Sequence, residues 1–153
     1  MTEATLVFLF NEKNQILLGM KKRGFGHGKR NGIGGKIEKQ ETCSQAAIRE
    51  LYEETKISIE ENQIQQIGLL YFYFDANSDW NFKVYVYSGI YDGDFEETDE
   101  IKPCWRNISD IPFEQMREDD KYWLPRMLDG ETNICEKFNF DENNKIYNRQ
   151  IIK

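Results

Sequence analysis

The chain has 153 residues, of which 39% are hydrophobic and 31% charged, and 27 acidic against 20 basic side chains give a net charge of -7. This length predicts a single domain, 1–153, that buries roughly two-thirds of its unfolded surface. Because proteins that bind a phosphate backbone usually carry a basic excess, this composition argues against duplex nucleic acid as a partner.

The apolar runs and the cysteines indicate the cellular setting. The first apolar run, LVFLF, is short and has no basic leader, so we expect neither a signal peptide nor a membrane span. Cys43, Cys104 and Cys135 are odd in number and match no metal-ligand spacing. Reduced thiols in a cytoplasmic protein are therefore expected, and we expect the protein to be a monomer.

Alternating apolar residues and turn residues predict strands separated by short turns. The predicted strands are 5–10, 16–20, 67–74, 82–91 and 104–107, followed by a terminal hairpin of 137–140 and 145–151. Helices are predicted after Thr42 and over 120–128, with Pro125 kinking or ending the second one. Without a regular βαβ alternation, these elements predict an α+β fold, an α/β/α sandwich around a mixed sheet.

The segment 21–30 is both basic and rich in glycine. Backbone N–H groups and cations approach phosphates in segments of this composition. It is not a Walker loop, because Gly28-Lys29 has no glycine five residues earlier and no Ser or Thr after it. A flexible solvated loop is the alternative, and His27, which has no motif partner, is expected to be exposed.

The helix after Thr42 has a capping-box sequence in Thr42 and Gln45. It carries Glu50, Glu53 and Glu54 within an arc of roughly 100°. Such carboxylates repel one another unless a cation lies among them, and Mg²⁺ prefers oxygen ligands of this kind. The alternative is a solvated acidic face. The side expected to be buried consists of Ala47, Ile48, Leu51 and Tyr52.

Two adjacent carboxylates, Asp119 and Asp120, precede the second helix. They are either helix caps or solvated charges, or a pair that shares a proton in a confined site. An ionised carboxylate only accepts hydrogen bonds, whereas a protonated one also donates. Most of the aromatic residues, which make up 14% of the chain, are assigned to the core.

The segment from Gly34 to Ile57 resembles the signature of the Nudix hydrolases. That signature reads Gly, five residues, Glu, seven residues, Arg-Glu, an aliphatic residue, one residue, Glu-Glu, one residue, Gly and an aliphatic residue. The matching positions are Gly35, Glu41, Arg49, Glu50, Leu51, Glu53, Glu54 and Ile57. Lys56 stands where the family has a helix-ending glycine, a left-handed position that a lysine occupies at modest strain.

Further segments resemble one branch of this family, the oxidised-purine nucleoside triphosphatases. They are GMKKRGFGHGKRNGIGGK at 19–36, DEIKPCW at 99–105, IPFEQM at 111–116 and DDKYWLP at 119–125. Arg117 departs from the branch, since the animal members have a stacking tryptophan there. A guanidinium plane also stacks, but it adds charge and flexibility.

The resemblance implies a Mg²⁺-dependent pyrophosphohydrolase, with Mn²⁺ as a substitute, that sanitises the nucleotide pool. Its substrates would be oxidised purine nucleoside triphosphates of the 8-oxo-dGTP and 2-oxo-dATP type, and its products monophosphate and pyrophosphate. The implied metal ligands are the Gly34 carbonyl, Glu50, Glu53 and Glu54, with Glu100 as a further ligand or base. Arg49 would orient the glutamates, and Glu41 would support the junction of loop and helix. The implied substrate-binding residues are Thr5, Lys21, Phe25, Asn31, Asp119, Asp120 and Trp123.

Two alternatives remain open at this level. One is a Nudix hydrolase of another diphosphate, such as a dinucleoside polyphosphate, a nucleotide sugar or a canonical triphosphate, which Arg117 favours. The other is a nucleotide-binding or regulatory module without catalysis, against which the intact carboxylates argue.

Overall fold

The computed structural model describes residues 1–24 and 26–153, and within them eight strands form one mixed sheet. The strands are β1 (Thr2–Phe10), β2 (Gln15–Lys21), β3 (Arg30–Asn31), β4 (Ile64–Phe74), β5 (Phe82–Ile90), β6 (Ile101–Asn107), β7 (Ile134–Phe140) and β8 (Ile146–Ile151). The α-helices are α1 (Cys43–Thr55) and α2 (Asp120–Leu128). Short 3₁₀ turns lie at Glu61–Gln63, Ser78–Trp80, Ile108–Asp110 and Phe113–Gln115.

The strand order is β3-β2-β1-β5-β4-β7-β8, and β6 pairs with β2. Two pairs are parallel, β1 with β5 and β4 with β7, while the others are antiparallel. β1 meets β2 only at Phe10 and Ile16, so the two strands diverge toward the start of β1. Residues 33–36 run along β1 instead, where Val7 N donates to Ile33 O at 2.7 Å and Thr5 N to Gly35 O at 2.9 Å. Because β1 and β2 diverge, the turn at Gly34 and Gly35, which we call the glycine turn, lies directly beside β1.

The sheet has an apolar core on each face, because successive strand residues point to opposite sides. Leu6 and Phe8 of β1 belong to the cluster that includes Trp123 of α2. Val7 and Leu9 belong to the second cluster, which includes Leu51 of α1. The two helices therefore cover opposite faces, which confirms the predicted α/β/α arrangement of an α+β fold. No helix in the described part of the chain has the length and apolar character needed to span a membrane.

The predicted ends of α1 are confirmed. Thr42 is the N-cap, with its hydroxyl accepting from Gln45 N and the Gln45 side chain accepting from Thr42 N. Lys56 ends the helix in a left-handed conformation with φ 62°, and its N–H donates to Tyr52 O. Tyr52 was wrongly assigned to the buried side: it is exposed, and its ring lies against the Lys56 ammonium group, 5.3 Å away.

Of the two alternatives predicted for Pro125, ending the helix is wrong, because α2 continues past it to Leu128. A proline inside a helix removes one backbone hydrogen bond, here the one that would reach Lys121, which is exposed to water. Other contacts stabilise the last turn: Leu124 and Met127 are buried, and Arg126 forms ion pairs with Glu131 and Glu136.

The predicted strands are all present with shifted ends, whereas the two-residue strand β3 was not predicted.

Candidate active site

The glycine turn lies so close to its neighbours that side chains are excluded. A Cβ on Gly34 would lie 1.9 Å from the carbonyl oxygen of Thr5. A Cβ on Gly35 would lie 2.4 Å from the carboxyl carbon of Glu50. Only glycine fits at position 34, where the neighbours are backbone atoms, whereas a side chain at position 35 would displace the Glu50 carboxyl group. The turn thus brings its backbone against β1 on one side and against the acidic face of α1 on the other.

Arg49 forms hydrogen bonds with three carboxylates at the start of this acidic face. Its guanidinium donates to Glu41 at 2.6 and 3.0 Å, to Glu50 at 2.9 Å and to Glu53 at 3.2 Å. It also donates to the carbonyl of Lys36 at 3.0 Å, which fastens the loop to the helix. The hydrogen bonds from Arg49 lower the pKa of Glu41. One cation thus relieves the repulsion among these carboxylates and orients them.

Glu54 is the carboxylate that Arg49 does not reach. Its Oε2 is buried and has no hydrogen-bond partner among residues 1–24 and 26–153. Burial first, and then the charge of Glu50, raises the pKa of Glu54 to about 8, although Lys21 and the Gly34 N–H act in the opposite direction. Burial also raises the pKa of Glu50, against the effect of Arg49. These carboxyls lie where negative charge is costly without a further cation.

The donor set therefore fits a hard divalent cation, for which a buried carboxylate oxygen without a partner is a suitable ligand. Within the described residues no three His, Cys, Asp or Glu side chains already converge on one point. The carboxylates do not converge because Glu50 and Glu53 are turned toward Arg49, and Glu100 forms an ion pair with Arg23. The arrangement brings Glu50 and Glu54 close together and holds Glu100 on a different partner.

A cleft of about 1400 Å³ extends from this acidic face across the sheet. Lys21, Gly34 and Glu54 line one end, which we call the carboxylate end, and Thr5 and Asn31 also line the cleft. The Thr5 hydroxyl oxygen is buried there without a hydrogen-bond partner in the described chain. Phe25, which is also predicted to bind substrate, lies outside the described residues. His27, which has no predicted role in the site, is exposed as expected.

The opposite end, which we call the aromatic end, is lined by Phe72, Phe74, Phe82, Met116 and Arg117. Arg117 lies over the Phe72 ring, with 4.3 Å between the guanidinium carbon and the ring centroid. The same guanidinium donates from Nε to Asp119 at 2.5 Å. The residue that departs from the branch pattern is therefore part of the cleft wall.

Asp119 and Asp120 are completely buried behind this wall. Asp119 accepts hydrogen bonds from Arg117 and from Trp123 Nε1, the latter at 2.8 Å, and makes no side-chain bond that caps α2. Trp123 lies in the core with its ring edge-on to Phe8. Both carboxyl oxygens of Asp120 lack a partner among the described residues. Burial and the charge of Asp119 raise the pKa of Asp120 well above its ordinary range.

The predictions that these two aspartates are helix caps or solvated charges are therefore wrong, because neither carboxyl meets water or caps the helix.

Sequence reasoning also missed the tip of the β7–β8 hairpin, where Asn143, Asn144 and Lys145 line the cleft. No local motif marks these residues. They reach the cleft because β7 pairs with β4, a long-range contact that a turn sequence does not encode.

A family model of the NUDIX domain matches residues 1–127. The chain is 43% identical over 125 residues to an oxidized purine nucleoside triphosphate hydrolase of Danio rerio, covering 81% of this chain and 78% of the relative. It is 36% identical over 143 residues to the protein of the same name from Mus musculus, covering 93% and 88%.

Solved structures agree on the fold. A mutator MutT protein from Bacillus halodurans superimposes with a TM-score of 0.84 at 18% identity, covering 99% of this chain and 97% of that one. A bifunctional NMN adenylyltransferase/ADP ribose pyrophosphatase from Francisella tularensis, solved with AMP and a Mn ion, gives a TM-score of 0.65 at 20% identity. The match covers 84% of this chain and 41% of that protein.

Proposed function

The chain belongs to the Nudix family, and from this membership we propose that it hydrolyses oxidised purine nucleoside triphosphates to monophosphate and pyrophosphate. The two animal relatives, both named oxidized purine nucleoside triphosphate hydrolase, match over most of their length. One structural observation carries the proposal furthest: a single cleft joins the carboxylate end at Glu54 to the aromatic end at Arg117. A triphosphate and a purine base of one nucleotide would occupy these two ends.

The carboxylate end is proposed to hold the divalent ion. Glu50, Glu53 and Glu54 with the Gly34 carbonyl would be its ligands, and Glu100 a further carboxylate released from Arg23. When bound, Mg²⁺ or Mn²⁺ supplies neutralisation of phosphate charge and activation of a water molecule for attack on phosphorus. The Mn ion of the Francisella tularensis relative supports a divalent cation of this type.

The chain's own groups at this end position the phosphates. Lys21 lines the cleft and acts electrostatically on Glu54, so its ammonium group lies where it can neutralise a phosphate oxygen. Arg49 keeps Glu50 and Glu53 oriented from behind. Thr5 and Asn31 also line the cleft, where the Thr5 hydroxyl and the Asn31 amide can hydrogen-bond the substrate.

The aromatic end is proposed to recognise the base. Phe72 and the Arg117 guanidinium provide flat surfaces for stacking. Asp119 and Asp120 would form hydrogen bonds with the purine edge, and Trp123 holds Asp119 in place. Phe25 remains a predicted pocket residue by resemblance alone.

The test is pyrophosphate release with Mg²⁺ across a nucleotide panel. The panel contains 8-oxo-dGTP, 2-oxo-dATP, the canonical triphosphates, ADP-ribose and a dinucleoside polyphosphate. We expect the highest kcat/KM for an oxidised purine triphosphate. Preference for ADP-ribose or the dinucleoside polyphosphate would assign a different diphosphate substrate, and no hydrolysis of any member would indicate a binding module.

A further inference from the structure

Arg117 connects the cleft to the buried acid pair. One face of its guanidinium packs on Phe72, its Nε bonds to Asp119, and the side chain remains 30% exposed at the cleft wall. Asp119 and Asp120 do not themselves line the cleft, whereas Arg117, Glu118 and Lys121 do. A base that enters this end therefore meets Arg117 together with, or before, the carboxyls.

The partners of Asp119 define its hydrogen-bonding role. Oδ1 accepts from Arg117 Nε, and Oδ2 accepts from the Trp123 indole N–H. Neither partner has an acceptor atom, since an arginine guanidinium and an indole N–H only donate. Both carboxyl oxygens of Asp119 are therefore already committed to accepting, which is the arrangement of an ionised carboxylate.

Asp120 has the opposite surroundings. Its two carboxyl oxygens are buried and have no partner in the described parts of the chain. The charged groups that act on it are Asp119, which disfavours a second negative charge, and Arg117, which favours one. Arg117 is already paired with Asp119, so a proton shared by these two acids resides on Asp120. That proton provides one O–H donor.

We propose that Arg117 is a specificity-determining residue, which fixes Asp119 as the acceptor and Asp120 as the donor and so selects oxidised guanine over oxidised adenine. This inference rests on the proposed function, because it assumes that a purine occupies the aromatic end. Without Arg117 the proton could move between the two acids, and either base could be matched. With Arg117 present, Asp119 only accepts and Asp120 donates, so the pair offers a single arrangement of donors and acceptors.

The choice of guanine follows from the chemistry of the bases. Guanine has a carbonyl at C6 and an amino group at C2, whereas adenine oxidised at C2 has an amino group at C6 and a carbonyl at C2. The same fixed acids cannot match both edges in one orientation. A guanidinium adds further donors, and 8-oxo-guanine offers it carbonyls at both C6 and C8.

The experiment measures binding of the two monophosphate products, 8-oxo-dGMP and 2-oxo-dAMP, by calorimetry, so that it does not depend on hydrolysis. We expect wild type to bind 8-oxo-dGMP at least about tenfold more tightly, since a mismatched buried hydrogen bond changes affinity by roughly 5- to 150-fold. Arg117→Leu should bring the two dissociation constants to within about threefold. Arg106→Leu removes the same charge from β6, away from the cleft, and should keep the wild-type ratio.

Arg117→Gln keeps a donor for Asp119 without the charge and should give an intermediate ratio, which provides a second variant if Arg117→Leu does not fold. Equal affinities in wild type, a preference for 2-oxo-dAMP, or an unchanged ratio in folded Arg117 variants would each overturn the inference. Those results leave pyrophosphate release from oxidised triphosphates untouched. Absence of both hydrolysis and binding would instead overturn the proposed function.

Discussion

At each end of the cleft one arginine forms ion pairs with carboxylates, but the carboxylates at the two ends differ in their exposure to water. At the carboxylate end, Arg49 pairs with Glu41, Glu50 and Glu53, whose side chains are 16%, 15% and 55% exposed. At the aromatic end, Arg117 pairs with Asp119, which is 0% exposed. The first arrangement can exchange partners when a cation arrives, because water screens the intermediate states. The second is fixed by the fold.

From this difference we propose separate tasks for the two ends. At the proposed metal site, carboxylates near water would determine how fast a phosphate bond is cleaved, whichever base is attached. At the proposed base pocket, buried carboxyls with set partners would determine which base is accepted, because an unmatched polar group is costly there. Substitutions at the carboxylate end should therefore affect all nucleotides equally, and substitutions at the aromatic end should affect them unequally.

The largest effect is expected from Glu54→Gln. The amide keeps the shape of the side chain but discards the negative charge that would bind the metal. We expect kcat to fall by at least about 100-fold for every nucleotide hydrolysed, with the fold retained. Glu12→Gln, in the exposed turn between β1 and β2, is the matched control. Wild-type kcat in the Glu54 variant would remove this residue from the metal site.

Asp119→Asn should have the next largest effect, and an unequal one. The amide cannot accept on both atoms, so it loses one of the bonds from Arg117 and Trp123 and also changes the pattern offered to the base. A loss of about 1 to 3 kcal/mol lowers kcat/KM roughly 5- to 150-fold. We expect the decrease for 8-oxo-dGTP to differ from that for 2-oxo-dATP.

Steady-state kinetics on both nucleotides and on dGTP checks this expectation, with the exposed Asp110→Asn as control. An equal decrease for all three nucleotides would show that Asp119 supports the fold and does not recognise the base.

Arg49→Lys should have a smaller effect, which is again equal across nucleotides. Lysine keeps the charge but cannot donate simultaneously to Glu41, Glu50, Glu53 and the Lys36 carbonyl. We expect kcat to fall about tenfold and the Mg²⁺ concentration for half-maximal rate to rise. A metal titration of initial rates measures both quantities. An altered preference among bases, with no change in metal dependence, would contradict the separation of tasks.

The smallest effect concerns stability and pH. Burial, and then the charge of Asp119, raises the pKa of Asp120, so folded Asp120 keeps its proton where the unfolded chain has lost it. The free energy of unfolding should therefore fall as pH rises from about 4 toward the folded pKa. Asp120→Asn never ionises and should flatten this fall.

Thermal unfolding of metal-free protein between pH 4.5 and 7.5 measures the slope, with Asp110→Asn as the control for loss of an exposed carboxylate. A slope in Asp120→Asn as steep as in wild type would show that Asp120 ionises normally in the folded protein.

The sequence predicted the carboxylate end better than the aromatic end for a physical reason. The contact of Arg49 with Glu53 and the capping of the helix by Thr42 join residues three or four positions apart, so the sequence spacing already determines their geometry. The strands were also predictable, since alternation reports the buried faces directly. The shared cleft, and the Glu54 oxygen that has no partner in the described part of the chain, could be found only once the turn at Gly34 and Gly35 was placed against β1.

The aromatic end depends on contacts between residues far apart in the chain. The spacing of Arg117 and Asp119 allows contact, but only the fold brings Phe72 of β4 beneath the guanidinium. Burial of Asp119 and Asp120 likewise follows from the packing of α2 on the sheet. Two adjacent aspartates before a helix can also act as helix caps or remain in water, so the local sequence alone could not distinguish a buried pair from these alternatives.

The activity proposed for this chain is cleavage of oxidised purine triphosphates to monophosphate and pyrophosphate. The most direct test is hydrolysis of 8-oxo-dGTP with Mg²⁺ in ¹⁸O-water, followed by mass spectrometry of all phosphate-containing products. We predict 8-oxo-dGMP and pyrophosphate in equal amounts, one of them carrying a single labelled oxygen, and no inorganic phosphate. Inorganic phosphate as the primary product, or no turnover of 8-oxo-dGTP, would contradict the claim.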